Sequence, residues 1–162
     1  MCAPCLRTVW ISHMTGETAD TEALVRRWFE ELFNEGDLST ADEILADDVE
    51  YHGPPSLSPR DVSGPDDIRQ YVEAYGTAFP DVWYTVENVV AHGDSVRAHW
   101  IATGTHESDL FGIEPTGEAF SVEGVDVFRI EDGEIVEIWA HWDTLKMVQE
   151  LGVVPEIGTV AE

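Results

Sequence analysis

Basic residues are nearly missing from this chain. Eight Lys and Arg face thirty-three Asp and Glu among 162 residues, a formal charge of −25, and Lys146 is the single lysine. Nucleic acid and anionic membrane surfaces are therefore excluded as partners, because binding them rests on clustered cations. The acids are spread over the whole length, which reads as a solvated surface of the halophilic type, suited to high intracellular salt that screens self-repulsion. Cysteine is scarce as well. Cys2 and Cys5 lie in the first five residues, and no second pair completes a zinc site. No stretch is apolar enough to span a membrane, and Met1–His13 lacks the apolar core of a signal peptide, so a cytoplasmic location is expected. There is no Gly-x-Ser-x-Gly elbow and no glycine-rich phosphate loop, which argues against a serine nucleophile and nucleotide cofactors.

The 43% of hydrophobic residues is enough for one ordinary core. Residues 1–15 read as a disordered or mis-assigned extension, 16–154 as a single domain and 155–162 as a flexible tail. Helical spacing of Ala23, Leu24, Trp28, Leu32 and Phe33 predicts a helix over 20–35 that Gly36 stops, and Ser39 starts a short second one through Leu45. Val49–His52 reads as a brief strand, followed by a loop with Pro54, Pro55 and Pro59. Pro65 opens a third helix with Ile68, Tyr71, Val72, Tyr75 and Phe79 on one face, ended by Pro80. Strands 82–92 and 95–106 are joined by Gly93-Asp94, and strands 119–130 and 135–141 by Asp132-Gly133, both tight hairpin signals. A last helix covers 144–151, closed by Gly152. Helices followed by an antiparallel meander predict an α+β domain with helices on one face of a bent sheet.

Strand phase selects the candidate site residues, because alternate side chains share a face. His106 is in phase with Ala98, Trp100 and Ala102, a set of small residues beside one Trp that leaves room for a pocket. Asp126 is in phase with Phe120, Val122, Phe128 and Ile130, unusual company for an acid unless a bulge near Gly124 resets the phase. Asp143 is in phase with Ile135, Trp139 and His141. A carboxylate beside Trp139 and Trp142 would be partly desolvated and its pKa raised toward neutrality, as a general acid or base requires. Asp143 equally fits a cap on the last helix, accepting from the amide of Leu145 or Lys146, and the two roles are compatible. His52 and Tyr51 stand before the proline-rich loop and could close one side of a pocket. No pair of histidines has the spacing of a helix-borne metal motif, so no metal is expected.

The run Gly104-Thr-His106, Gly112-Ile-x-Pro-Thr-Gly117, Phe128-Arg-Ile-x-Asp-Gly-x-Ile135, Trp139-x-x-x-Asp143 and Gln149-x-Leu-Gly152 resembles the SnoaL-like polyketide cyclases, also called ester cyclases, of the nuclear-transport-factor-like superfamily. The resemblance covers about residues 20–152. It implies a highly curved antiparallel sheet forming a cone, wrapped by three to four helices, with an apolar internal pocket. It further implies cofactor-free, metal-free general acid/base catalysis, an aldol-type ring closure or related enolisation of a small apolar carbonyl compound. By the same resemblance Asp143 is the acid/base and His106 lines the cavity; the strand-phase reading adds Tyr51, His52, Trp100, Asp126, Phe128, Trp139 and His141 as expected ligand contacts. Related sequences tend to carry Gly where Ser108 stands, which alters the loop before Gly112. A homodimer through the convex face of the sheet is expected by resemblance. A non-catalytic ligand carrier of the same fold is the competing expectation, since fold does not fix reaction.

Overall fold

The computed structural model describes residues 20–55, 57–59 and 61–155, so the expectations for residues 1–15 and for almost all of the tail fall outside it. Residues 20–27 are α-helical and run on into a π-helical segment, Trp28–Asn34; the two together are α1. The i→i+5 turn suits this sequence, because it puts Trp28, Phe29, Leu32 and Phe33 on one side, where all four are buried. Ala23, assigned to that face from spacing, is exposed, and Val25 is buried in its stead. Asn34 anchors the end of α1 by pairing with both backbone groups of Tyr84, at 2.8 and 2.7 Å. Gly36, at φ +68°, turns the chain into α2, Thr40–Ile44.

The strands follow as β1 (Leu45–His52) and β2 (Val62–Ser63), then helix α3 (Gly64–Ala78), and then the meander β3 (Trp83–His92), β4 (Ser95–Thr105), β5 (Ala119–Glu131) and β6 (Glu134–Trp142). Helix α4, Thr144–Glu150, closes the described chain. The six strands form one curved sheet in the order β2-β1-β6-β5-β4-β3. It is antiparallel except where β1 lies parallel to β6, a pairing reached through the crossover that contains α3. Asp132 and Gly133, at φ 51° and 76°, make the turn that their sequence signal predicts. Breaks in register between Val86 and Asn88, between Arg129 and Ile130, and between Leu45 and Glu50 bend the sheet.

Strand β5 alternates without a break, so Phe120, Val122, Asp126, Phe128 and Ile130 all face inward and no bulge at Gly124 resets the phase. The bulge lies in β6 instead. Arg129 is opposite Glu137 but Ile130 is opposite Ile135, which leaves Val136 over. Phase therefore flips between Ile135, fully buried, and Trp139 and His141, which face the other side with Ile138 and Ala140 now inward. The core lies between the concave face of the sheet and helices α1 and α3. Among the described residues no helix is long and apolar enough to cross a membrane.

Candidate active site

Asp126 is the residue that the fold treats most unusually. Its neighbours on the ladder, Ala98 and Ala140, are small, and it is 4% exposed. The indole N–H of Trp100 donates to Oδ1 at 3.0 Å. Burial pushes the carboxyl up to about 7, and hydrogen bonds from the Trp100 and Trp28 indoles offset part of that rise. An acid half-ionised near neutral pH can take a proton and return it.

The carboxyl lines a small interior cavity with room for about one water. Trp28, Tyr51, Tyr71, Tyr84, Trp100 and Trp142 are the ring-bearing walls around it, with Phe33 beyond. A second cavity of the same size adjoins it through Tyr84, Trp100 and Trp142. Tyr51 from β1 donates to the Tyr71 oxygen from α3 at 3.0 Å. Burial raises all the tyrosines here, Tyr71 to about 12 and Tyr51 and Tyr84 well above the usual phenol value. The negative charge of Asp126 contributes to all three shifts, which places these hydroxyls within its field. Reading the sequence assigned Tyr51, Trp100 and Asp126 to the pocket and missed Trp28, Tyr71, Tyr84 and Trp142. Tyr71 sits at core spacing on α3, and nothing local separates a cavity-lining tyrosine from a core one.

The remaining candidates are dispersed. Asp143 is exposed and caps α4, its Oδ1 accepting from the Lys146 amide at 2.9 Å. His106 is fully buried after β4; its Nδ1 accepts from the Thr116 amide at 3.3 Å, its ring packs on Phe79 at 5.4 Å, and its Nε2 has no hydrogen-bond partner. The Asp143 amide bonds to Glu123 of β5 and the His106 amide to Glu118 just before it, so about 16 Å of strand separates them. His106 is also eight residues beyond Ala98, the partner of Asp126, or about 26 Å along the ladder. The structure thus brings neither acid to His106. Phe128 is fully buried under Trp28 and Phe29 as a packing residue.

His52, Trp139 and His141 lie on the opposite face of the sheet from the cavity. The His52 ring stacks on Trp139 at 5.6 Å, and its Nε2 is 3.1 Å from Glu137. His52, Glu137 and Glu50 bring ligand-type atoms within 4.8 Å of one another. Arg129 binds the other Glu137 oxygen at 3.2 Å, so both oxygens of that carboxylate already have partners. His141 lines an open outer groove of about 410 Å³ with His99, Glu123, Val125 and Asp143. Trp142 lines both that groove and the interior cavities.

Residues 23–151 match the SnoaL-like polyketide cyclase family. Among solved structures the chain is similar to IdmH, a candidate polyketide cyclase from Streptomyces antibioticus, at 31% identity and TM-score 0.70 over 81% of this chain and 97% of that one. TsrD from Streptomyces laurentii is 27% identical with TM-score 0.72, covering 84% of this chain and 97% of its own. A candidate SnoaL-like polyketide cyclase from Jannaschia sp. CCS1 shares the fold at TM-score 0.77 and 22% identity, over 85% of this chain and 95% of that one. No curated protein matches the chain.

Proposed function

Because this chain belongs to the SnoaL-like polyketide cyclase family, we propose that it is an enzyme that closes a ring, or shifts a double bond, in a small apolar carbonyl compound by proton transfer at Asp126. The buried carboxyl with a pKa of about 7, facing a cavity walled by aromatic rings, is the observation that carries this reading. The Asp126 carboxylate takes a proton from carbon α to a carbonyl, and the C–H electron pair passes into the enolate. The enolate carbon then attacks a second carbonyl of the same molecule, forming the ring C–C bond and an alkoxide. Asp126, now carrying the proton, returns it to the alkoxide, so the sequence ends with the carboxylate restored and no co-reactant consumed.

Asp126 replaces Asp143 in this role because Asp143 is exposed and occupied as a helix cap. Ligand entry requires one wall to turn aside, and Trp142, half-buried between the cavity and the outer groove, is placed to do so. The distance of His106 and Asp143 from the cavity favours a second reading, a ligand-binding protein without a reaction. The experiment that separates them is α-deuterium exchange by NMR, in D₂O, of a panel of β-keto esters and small flat ketones. Exchange that falls at least about 100-fold in Asp126→Asn and persists in Asp143→Asn supports the enzyme. Exchange unchanged in Asp126→Asn removes Asp126 as the base, and binding without exchange leaves the carrier. The assembly we propose is a homodimer, tested by a light-scattering mass of twice 18.0 kDa.

A further inference from the structure

The Asp126 reading leaves a group of buried hydroxyls unused. Tyr51 and Tyr71 are 6% and 3% exposed, come from different elements, and are joined oxygen to oxygen at 3.0 Å beside the cavity that holds the carboxyl. Tyr75, one turn further along α3, is different: its hydroxyl is committed to the Leu57 carbonyl at 2.7 Å. The Ser58 hydroxyl is buried beside Tyr71 without a well-formed hydrogen bond of its own. Buried hydroxyls are costly to place in an aromatic core, and Phe at 51 and 71 would fill the same space without that cost. The Tyr51 hydrogen bond also offsets part of the burial that raises the Tyr71 phenol to about 12. A phenol whose oxygen already accepts a hydrogen bond is a stronger donor through its own O–H.

We infer that Tyr71, backed by Tyr51, is the oxyanion donor of this site and takes the carbonyl oxygen of a ketone whose α carbon faces Asp126. The inference rests on the Asp126 reading and deepens it. As the α C–H bond breaks, the proton passes to the Asp126 carboxylate and the electron pair moves onto the carbonyl oxygen. The Tyr71 O–H donates to that oxygen without giving up its proton, so the negative charge stays on the enolate until carbon attacks. A donor aimed where charge develops acts on the transition state more than on the bound ketone. The closed cavity holds about one water, so the ligand is admitted as Trp142 turns aside toward the outer groove; the walls that stay suit a flat, apolar, enolisable ketone that packs on Trp100 and Tyr84 and presents one edge with the oxygen and the acidic carbon together.

The probes are 2-tetralone, a flat enolisable ketone, and 2-naphthol, whose phenolate has the shape and charge of its enolate. Exchange at the 2-tetralone α carbon is followed by NMR in wild type, Tyr71→Phe, Tyr51→Phe and Asp126→Asn, and 2-naphthol binding is followed by fluorescence from pH 6 to 10. Tyr71→Phe is expected to lower kcat for exchange about 100-fold with KM within about threefold, and to abolish the preference for naphtholate over naphthol. Tyr51→Phe is expected to lower kcat about fivefold to tenfold; it tests the same pair should the residue-71 variant fail to fold. Asp126→Asn is expected to abolish exchange and to keep naphtholate binding. Loss of exchange in Asp126→Asn with wild-type kcat and naphtholate preference in both Phe variants overturns the oxyanion role and leaves the Asp126 reading standing. Wild-type protein that neither exchanges 2-tetralone nor binds 2-naphthol overturns both.

Discussion

The Trp100 indole lies across Gly124 and donates to Asp126, which is two residues further along the facing strand. Trp100 and Gly124 are directly opposite each other on β4 and β5, so the flat ring covers the place where a side chain would stand. This indole reaches the carboxyl because its partner has no Cβ. Small neighbours serve the same end on the other side, where Ala98 and Ala140 flank Asp126.

Gly124→Ala therefore disturbs the site from beneath. The added Cβ falls 2.5 Å from Trp100 Cζ2 and 2.6 Å from the His141 carbonyl oxygen. One of these neighbours is backbone and cannot yield, so the indole moves and loses its bond to Oδ1. Overpacking of this kind costs about 1–3 kcal/mol. The thermal midpoint should fall by several degrees and the Trp100 indole N–H resonance should shift. An unchanged midpoint and resonance would contradict this account of the ring's position.

Asp126 also sets a pH dependence whose sign is fixed. Its folded pKa, about 7, lies above the ordinary 3.8, so between those values the folded chain holds a proton that the unfolded chain releases. Stability contributed by the neutral acid is fully present below about pH 4 and is lost as pH rises to about 7. Asp126→Asn removes this dependence, so the variant gains on the wild type as pH rises. The gap between the two should widen by on the order of 2–3 kcal/mol from pH 5 to pH 8. Urea unfolding at both values reads it. Using the difference between the two proteins removes the opposite trend from Glu31, Asp81 and Glu137, whose pKa values are lowered by their partners.

Sequence periodicity made the sheet, its two hairpins and the inward set of β5 legible, because a strand buried on one face must alternate. Asp126 could be found for that reason: it is the acid in an apolar series. The same reasoning put Asp143 in phase with Ile135, whereas one extra residue at Val136 flips β6 between Ile135 and Trp139 and leaves no mark in the local composition. His52 and Trp139 were both expected to line the pocket; β1 and β6 are paired there, and the two rings meet on the outer face instead. The Tyr51–Tyr71 contact depends on how α3 packs over β1, and no single stretch of sequence encodes that.

Asp143 should behave as a cap. Replacing it with Ala removes the acceptor for the Lys146 amide, at a cost of about 1 kcal/mol, whereas Asn keeps an oxygen in the same place and costs less. Both variants should retain α-deuterium exchange within about twofold of wild type. A large loss of exchange in Asp143→Asn, with stability unchanged, would return the acid/base role to Asp143 and move the site to the outer groove.

Salt should stabilise the protein. Arg27, Arg69, Arg129 and Lys146 are each already paired with acids, Arg27 with Glu31 and Glu43 and Arg69 with Asp42 and Asp66. The net charge of −25 is thus carried by acids with little cation near them, and folding draws those charges together. Screening acts on both terms, but the exposed pairs it weakens are each worth under about 1 kcal/mol and are few. At 0.1 M salt the screening length is about 10 Å, long enough for neighbouring acids to repel, and at 1 M it is about 3 Å. The thermal midpoint in 2 M KCl should accordingly exceed that in 0.1 M KCl by several degrees, with most of the rise complete by about 1 M, where screening is already shorter than the spacing of surface charges. Equal midpoints would mean that the acids are far enough apart, or ionised little enough, for repulsion not to limit the fold.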